Sequence, residues 1–300
     1  MQKINFIENN EIKHNHFNEP KDDNPNSFKL YMSCAFIGPP NSGKTQAALN
    51  LAKYLQNKNL VTEIFIISPT LENNPFDILN IDDDHKISDL SDIENFLDCL
   101  IDYCKDKVEK WKEIKKNYSK KEYDKLYKEI YNLYLHNQKH NEIDIDDELK
   151  LTNEDYEMLE DNKFNKIPSY YDCGPSFLLI FDDINGSKIV SDKKLNPLVK
   201  IMSNHRHNHI NLILITQNYL KSIPSLVRSQ ISKSMLFKMN STREVLKFYE
   251  HIGQNYIPEY KEFLKICKQI TSEPYTFMLI DQNPKRKELT IRKNYNYIAI

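Results

Sequence analysis

One eight-residue segment constrains the fold of this chain more than any other. Residues 38–45 match the phosphate-loop pattern G-x-x-x-x-G-K-[ST] at every fixed position. The chain has only 5 glycines in 300 residues, and two of them fill the two fixed glycine positions, so a chance match would be rare. The segment consists of Gly38, Pro39, Pro40, Asn41, Ser42, Gly43, Lys44 and Thr45.

The residues on either side of this segment have the patterns of a strand and a helix. Residues 32–37 form an apolar run typical of a buried strand, and apolar residues recur at helical spacing over residues 45–55. In a strand, loop and helix of this kind, backbone N–H groups converge on the α and β phosphates. Lys44 is then predicted to reach the β and γ oxygens, and the Thr45 hydroxyl to bind Mg²⁺. The alternative is a glycine turn before a helix.

A second apolar run, residues 177–183, ends in two carboxylates, Asp182 and Asp183. A buried parallel strand is continuously apolar, and α/β sheets bind ligands at the carboxyl ends of their strands. Asp182 is therefore predicted to hold Mg²⁺ through water. Asp183 is predicted to act as the general base that polarises the attacking water.

A third buried strand is predicted over residues 210–217, and two further polar residues, Gln217 and Arg228, lie at its end and after it. Gln217 ends the run and is predicted to touch the γ-phosphate or the attacking water, or else to make a helix-cap or loop hydrogen bond. Arg228 comes shortly afterwards. It is predicted to reach across a subunit boundary to a neighbour's γ-phosphate, or else to form a surface salt bridge.

Composition and pattern suggest a tail, a catalytic domain and an insertion. Residues 1–28 are polar and are interpreted as a tail, and residues 29–300 as a P-loop ATPase domain. A charged helical insertion is expected to interrupt this domain at about residues 84–168, where the apolar spacing is helical. The first half of the insertion is lysine-rich around residues 105–128, and residues 142–161 are strongly acidic. This pattern indicates either solvated helix faces and an acidic loop, or a surface for DNA, a portal or a neighbouring subunit.

Charge and hydropathy exclude several classes of protein. A net charge of −2 argues against a uniformly basic nucleic-acid coat, although a local basic patch is compatible with it. The sequence has no apolar run of about 18 residues and no signal-peptide pattern at its N-terminus, so no membrane partner is expected.

A regulatory GTPase would need an Asn-Lys-x-Asp element, which the sequence lacks. A small-molecule kinase and a scaffold that only binds ATP fit the paired carboxylates and Gln217 less well.

Taken together, these motifs resemble the FtsK/HerA superfamily. Within it, the resemblance is to the genome-packaging ATPases of large nucleocytoplasmic DNA viruses, virophages and related elements. It rests on the segments GPPNSGKT, FLLIFDD and ILITQ and on Arg228. It implies an α/β P-loop fold of the additional-strand, RecA/FtsK-like type, with a mostly parallel sheet. In that fold the Gln217 strand lies between the phosphate-loop strand and the carboxylate strand.

The same resemblance implies an activity and a set of partners. The expected activity is ATP hydrolysis with Mg²⁺, coupled to moving double-stranded DNA into a preformed capsid. The expected partners are further copies in a homo-oligomeric ring, with Arg228 acting in trans, double-stranded DNA and a capsid vertex or portal component. The implied location is the host cytoplasm, at the viral factory, or the virion. A ring helicase or a DNA pump not dedicated to packaging is the alternative.

A lysine-containing loop after Asp183 is the candidate DNA contact. Residues 185–194 follow the carboxylates and carry Lys188, Lys193 and Lys194. A few lysines per subunit suit a grip on DNA phosphates that does not depend on base sequence.

Overall fold

The computed structural model describes residues 6–8, 30–73, 75–79, 81–139, 174–184, 196–284, 287–295 and 297–299. The strands in these ranges are β1 (Phe6–Glu8), β2 (Ser33–Ile37), β3 (Glu63–Ile67), β4 (Lys86–Ile87), β5 (Phe177–Asp182), β6 (Ile210–Thr216), β7 (Lys233–Phe237), β8 (Phe277–Asp281), β9 (Ile291–Lys293) and β10 (Tyr297–Ala299). The α-helices are α1 (Lys44–Asn57), α2 (Ile93–Asn117), α3 (Lys120–Lys139), α4 (Pro197–Asn204), α5 (Tyr219–Ser222), α6 (Ser225–Arg228), α7 (Thr242–His251) and α8 (Tyr260–Ile270).

The described strands form one sheet with the order β1-β10-β9-β8-β7-β2-β6-β5-β3-β4. The stretch from β7 to β4 is parallel throughout. Beyond β7 the pairing is antiparallel, and β8 and β9 form a hairpin. The Gln217 strand, β6, lies between the phosphate-loop strand, β2, and the carboxylate strand, β5. This order confirms the predicted additional-strand P-loop fold.

The central strands are buried on both sides because helices cover both faces of the sheet. Every residue of β2, β5 and β6 is buried, which explains why their sequences are apolar runs without alternation. Successive side chains point to opposite faces, so Phe36 packs with α1 on one face, whereas Ile37 belongs to the cluster on the other. The sheet therefore separates two apolar cores.

The helix α2 covers the second face of the sheet. Its buried residues Leu97, Leu100 and Cys104 belong to the same cluster as Phe65 of β3 and Leu179 of β5. The first part of the predicted insertion thus contributes to the main core. Residues 140–173, which include its acidic half, lie outside the described residues.

Two short strands near the opposite ends of the sequence pair with each other at one edge of the sheet. Phe6–Glu8, within the predicted N-terminal tail, pairs with β10 in antiparallel register. The other residues of that tail lie outside the described ranges. Within those ranges, none of the helices combines the length and the apolar character that a membrane crossing requires.

Candidate nucleotide site

A cavity of about 300 Å³ opens at the carboxyl edge of the parallel strands. It lies where β2, β5 and β6 end, which is the edge at which α/β sheets bind ligands. Of the six side chains predicted from sequence to act on nucleotide or Mg²⁺, all except that of Arg228 belong to residues that line it. Its walls consist of Pro40, Asn41, Gly43, Lys44, Thr45, Gln46, Thr70, Asp182, Asp183, Ile215, Thr216 and Gln217.

The phosphate loop has the backbone conformation that its glycines permit. Gly43 lies at φ 91°, in the left-handed region, and immediately precedes the first residue of α1. Gly38 lies so close to β7 that a Cβ at this position would be 2.7 Å from Cβ of Phe237. The Gly38 N–H donates to the carbonyl of Thr216, which ties the start of the loop to the end of β6. Side chains at either glycine would disturb the loop.

The remaining loop residues support this conformation in different ways. Asn41 also has a positive φ, 59°, which asparagine adopts more readily than most residues. Ser42 Oγ is buried and makes no hydrogen bond within the described part of the chain. Pro39 and Ser42 do not line the cavity, but the carbonyl of Pro39 accepts a hydrogen bond from Lys44 Nζ at 2.7 Å.

Lys44 lies folded over the phosphate loop beside both carboxylates. It is buried, and burial lowers the pKa of its ammonium, while the negative charges of Asp182 and Asp183 counteract that shift. An ammonium group with this bond to the Pro39 carbonyl can exchange it for phosphate oxygens, which are stronger acceptors because they are charged. Lys44 is thus placed for the predicted phosphate contact.

The two carboxylates differ in their environments. Asp182 ends β5 and is buried, and its pKa is raised from 3.8 to about 6, first by burial and then by the charge of Asp183. Lys44 acts in the opposite direction. Asp183 is half-buried and adopts φ 50°, in the left-handed region that aspartate tolerates better than most residues.

The donor set at this edge suits a hard divalent cation. Thr45 and Asp182 line the same cavity and offer hydroxyl and carboxylate oxygens, which are the ligands that Mg²⁺ prefers. The neighbouring Asp183 adds a second carboxylate, whose charge also raises the pKa of Asp182. A cation between the carboxylates and a phosphate chain would relieve this repulsion.

Gln217 lies in the cavity wall, immediately after β6, as the sequence predicts. The cavity also includes Thr70, Gln46 and Thr216, which the sequence analysis did not identify. Thr70 follows β3, and its N–H donates to Ser68 Oγ at 3.2 Å. Its position at the end of a parallel strand is the only sequence signal that would have pointed to it.

Arg228 lies apart from these lining residues, at the end of α6. Its Nη1 donates to the carbonyls of Leu220, at 2.8 Å, and Ile223, at 2.5 Å. Its guanidinium lies 5.7 Å from the centre of the Tyr219 ring, and its Nε is buried with no hydrogen-bond partner in the described ranges. Arg228 therefore joins α6 to α5 and to the residue that follows α5. The candidate DNA contacts Lys188, Lys193 and Lys194 lie outside the described residues.

The chain matches no protein-family model and no curated protein. Solved structures similar to it include the genome packaging NTPase B204 from Sulfolobus turreted icosahedral virus 2 in complex with ATP-gammaS, with 16% identity, 90% of this chain and 98% of that chain covered, and a TM-score of 0.46. EssC (ATPases 2 and 3) from Geobacillus thermodenitrificans has 13% identity, with 89% of this chain and 39% of that chain covered, and a TM-score of 0.45.

The pCW3 conjugation coupling protein TcpA is also similar, with 12% identity, 82% of this chain and 56% of that chain covered, and a TM-score of 0.43. The similar structures thus include a viral genome packaging NTPase, an EssC protein and a conjugation coupling protein.

Proposed function

We propose that the protein is an ATP-hydrolysing motor that moves double-stranded DNA into a preformed capsid. The observation that supports hydrolysis is the convergence of Lys44, Asp182, Asp183 and Gln217 on one cavity at the carboxyl edge of the sheet. A cation that reaches phosphate, paired carboxylates and a polar residue near the attacking water are the parts that nucleotide hydrolysis requires.

Each residue has a defined task in this proposal. The loop N–H groups and Lys44 hold the β and γ phosphates, and Thr45 and Asp182 would hold Mg²⁺. When bound, Mg²⁺ would neutralise part of the negative charge of the triphosphate. Asp183 accepts a proton from a water molecule that Gln217 orients. The water oxygen attacks the γ-phosphorus, the bond to the β,γ-bridging oxygen breaks, and ADP departs with the bonding electrons.

Coupling to DNA and packaging form the second part of the proposal. This part rests on the resemblance of the motif set to genome-packaging ATPases and on the candidate DNA contacts Lys188, Lys193 and Lys194. The motor acts as a homo-oligomeric ring at a capsid vertex or portal, in the host cytoplasm, and Arg228 acts on the neighbouring subunit's γ-phosphate. For that, Arg228 has to exchange its bonds to Leu220 and Ile223 for phosphate oxygens.

The hydrolysis proposal is tested by two substitutions with different expected effects. Lys44→Ala is expected to weaken ATP binding and abolish turnover, because it removes the phosphate-binding cation. Asp183→Asn is expected to retain ATP binding and to lower turnover by about 10²–10⁴-fold, because the amide cannot accept the proton of the attacking water. Turnover is measured as phosphate release with and without double-stranded DNA, and binding by calorimetry.

A matched control is Asp83→Asn, which removes an exposed carboxylate that does not line the cavity. It is expected to leave both binding and turnover unchanged. If Asp183→Asn turns over ATP at the wild-type rate, Asp183 is not the base.

Packaging is tested separately, by co-expression with capsid components and measurement of nuclease-protected DNA. DNA-stimulated turnover without such protection would favour a helicase or a DNA pump with another task.

A further inference from the structure

An exposed tyrosine lies against the phosphate loop, outside the residues that the motifs identify. Tyr275 is 64% exposed, the highest value among the large apolar and aromatic side chains in the described ranges that are exposed. Its ring covers Gly43, because a Cβ built on Gly43 would lie 3.1 Å from Tyr275 Cδ1. An aromatic ring thus borders the phosphate loop and presents most of its surface to solvent.

The sheet order places Tyr275 on the side of the loop opposite the carboxylates. Asp182 and Gln217 end β5 and β6, on one side of β2, whereas β7 and β8 lie on the other side. Tyr275 comes shortly before β8, whose first residue pairs with Phe237 at the carboxyl end of β7. The ring therefore lies at the same edge of the sheet as the cavity, but beyond the phosphate loop.

This placement corresponds to the direction in which a bound nucleotide has to run. Its γ-phosphate has to face Asp183 and Gln217, where hydrolysis is proposed. Its phosphate chain then crosses the loop and the start of α1, and its ribose and base extend away from the carboxylates. The base end therefore points toward the β7 and β8 side, where Tyr275 lies.

The backbone on both sides of Tyr275 is held firmly. Tyr275 has φ 61°, in the left-handed region, which is unfavourable for a bulky residue and is sustained only by its surroundings. Thr276 is buried, and its hydroxyl donates to the carbonyls of Ile270 and Glu273. The Phe277 N–H donates to Asn294 Oδ1 at 3.0 Å. The ring is thus presented on a turn that hydrogen bonds of the next two residues support, at a cost in backbone energy.

We infer that Tyr275 provides the stacking surface for the base of the bound nucleoside triphosphate. This inference rests on the proposed function and adds the part of the site that recognises the base. Stacking on a tyrosine ring contributes to affinity without reading hydrogen-bond patterns, so it favours a purine but does not separate adenine from guanine.

The test compares two ligands on two variants. Tyr275→Asn removes the ring and keeps a residue that tolerates the left-handed backbone, whereas Tyr275→Phe keeps the ring. Binding of ATP and of inorganic tripolyphosphate, which has no base, is measured by calorimetry with Mg²⁺ present. Tyr275→Asn is expected to weaken ATP binding roughly tenfold and to leave tripolyphosphate binding unchanged. Tyr275→Phe is expected to bind both as the wild type does.

A matched control is Tyr118→Asn, which removes another exposed tyrosine, at the end of α2. It is expected to change neither affinity. The inference is overturned if Tyr275→Asn binds ATP like the wild type. It is also overturned if Tyr275→Asn weakens the binding of ATP and of tripolyphosphate equally. The ring would then affect affinity only by packing against Gly43 of the phosphate loop. If the wild type binds neither ligand, the proposed function itself fails, and the wild-type measurement alone reveals it.

Discussion

At the scale of single residues, Asp182 combines a functional position with an energetic cost. Its pKa is raised to about 6, so the folded protein favours the protonated acid more than the unfolded chain does. Folding stability is therefore lost as the pH rises from the ordinary value of 3.8 through about 6, and the buried carboxylate remains unfavourable above that range. A bound cation would offset this cost.

Asp182→Asn is accordingly expected to stabilise the nucleotide-free protein at neutral pH and above, by about 1–3 kcal/mol. The gain is expected to shrink toward zero at about pH 4, where the wild-type acid is protonated in the folded state. Thermal unfolding in metal-free buffer over this pH range measures it. A variant that is less stable than the wild type at neutral pH would show that the Asp182 charge is well compensated.

The motif residues were predictable because their roles require fixed residue types at fixed spacings. The pattern at 38–45 specifies Lys44 and Thr45, and the apolar run before Asp182 places that carboxylate at the end of a strand. Thr70 and Tyr275 belong to no motif. Their positions at the site depend on which strands are neighbours in the sheet, and the local pattern around each residue does not specify that pairing.

At the scale of the secondary-structure elements, a buried ion network joins the antiparallel strands to the parallel ones. Asp281 of β8 binds Lys233 of β7, at 2.8 Å, and Arg292 of β9, at 3.1 Å. All three side chains are at least 95% buried. Burial lowers the pKa of Lys233, and the charge of Asp281 raises it. Lys233 and Arg292 thus share the Asp281 carboxylate as a buried counter-charge.

Asp281→Asn is expected to destabilise the fold by about 3–5 kcal/mol, because it leaves two buried cations without their counter-charge. The free energy of unfolding is measured by urea denaturation. The comparison variant is Asp83→Asn, which removes the partner of Lys86 in an exposed pair and is expected to leave the denaturation midpoint unchanged. Equal midpoints for Asp281→Asn and the wild type would rule out a net stabilising role for the network.

Elements were predictable to the extent that their own pattern determines them. The apolar runs predicted the central strands, and the helical spacing predicted a helix in the region of α2, whose buried face includes Leu97, Leu100 and Cys104. The spacing shows that a face is buried, but not what it packs against. The interpretation of residues 84–168 as an insertion therefore did not include the packing of α2 on the same core as β3 and β5.

At the scale of the whole molecule, the residues proposed to bind and hydrolyse ATP line one cavity, whereas Arg228 does not line it and donates to the carbonyls of Leu220 and Ile223. Arg228→Ala is therefore expected to have two separable effects, one from these bonds and one from the proposed contact to a neighbouring subunit. Loss of its bonds to Leu220 and Ile223 is expected to lower the melting temperature, by an amount that corresponds to about 1–3 kcal/mol. Loss of a trans contact to γ-phosphate is expected to lower ATP turnover beyond what stability explains, by up to about 10³-fold.

Mixing two inactive variants separates these effects. Lys44→Ala subunits keep Arg228 but lack a working nucleotide site, and Arg228→Ala subunits have the reverse defect. In a ring, an intact site of one kind of subunit meets an intact arginine of the other, so the mixture is expected to recover part of the wild-type turnover, increasingly so at higher protein concentration. Mixed assembly is verified by co-purification of differently tagged variants. Co-assembly without any recovery would mean that Arg228 acts only within its own subunit, through its bonds to the carbonyls of Leu220 and Ile223, and that hydrolysis does not need a neighbour's arginine.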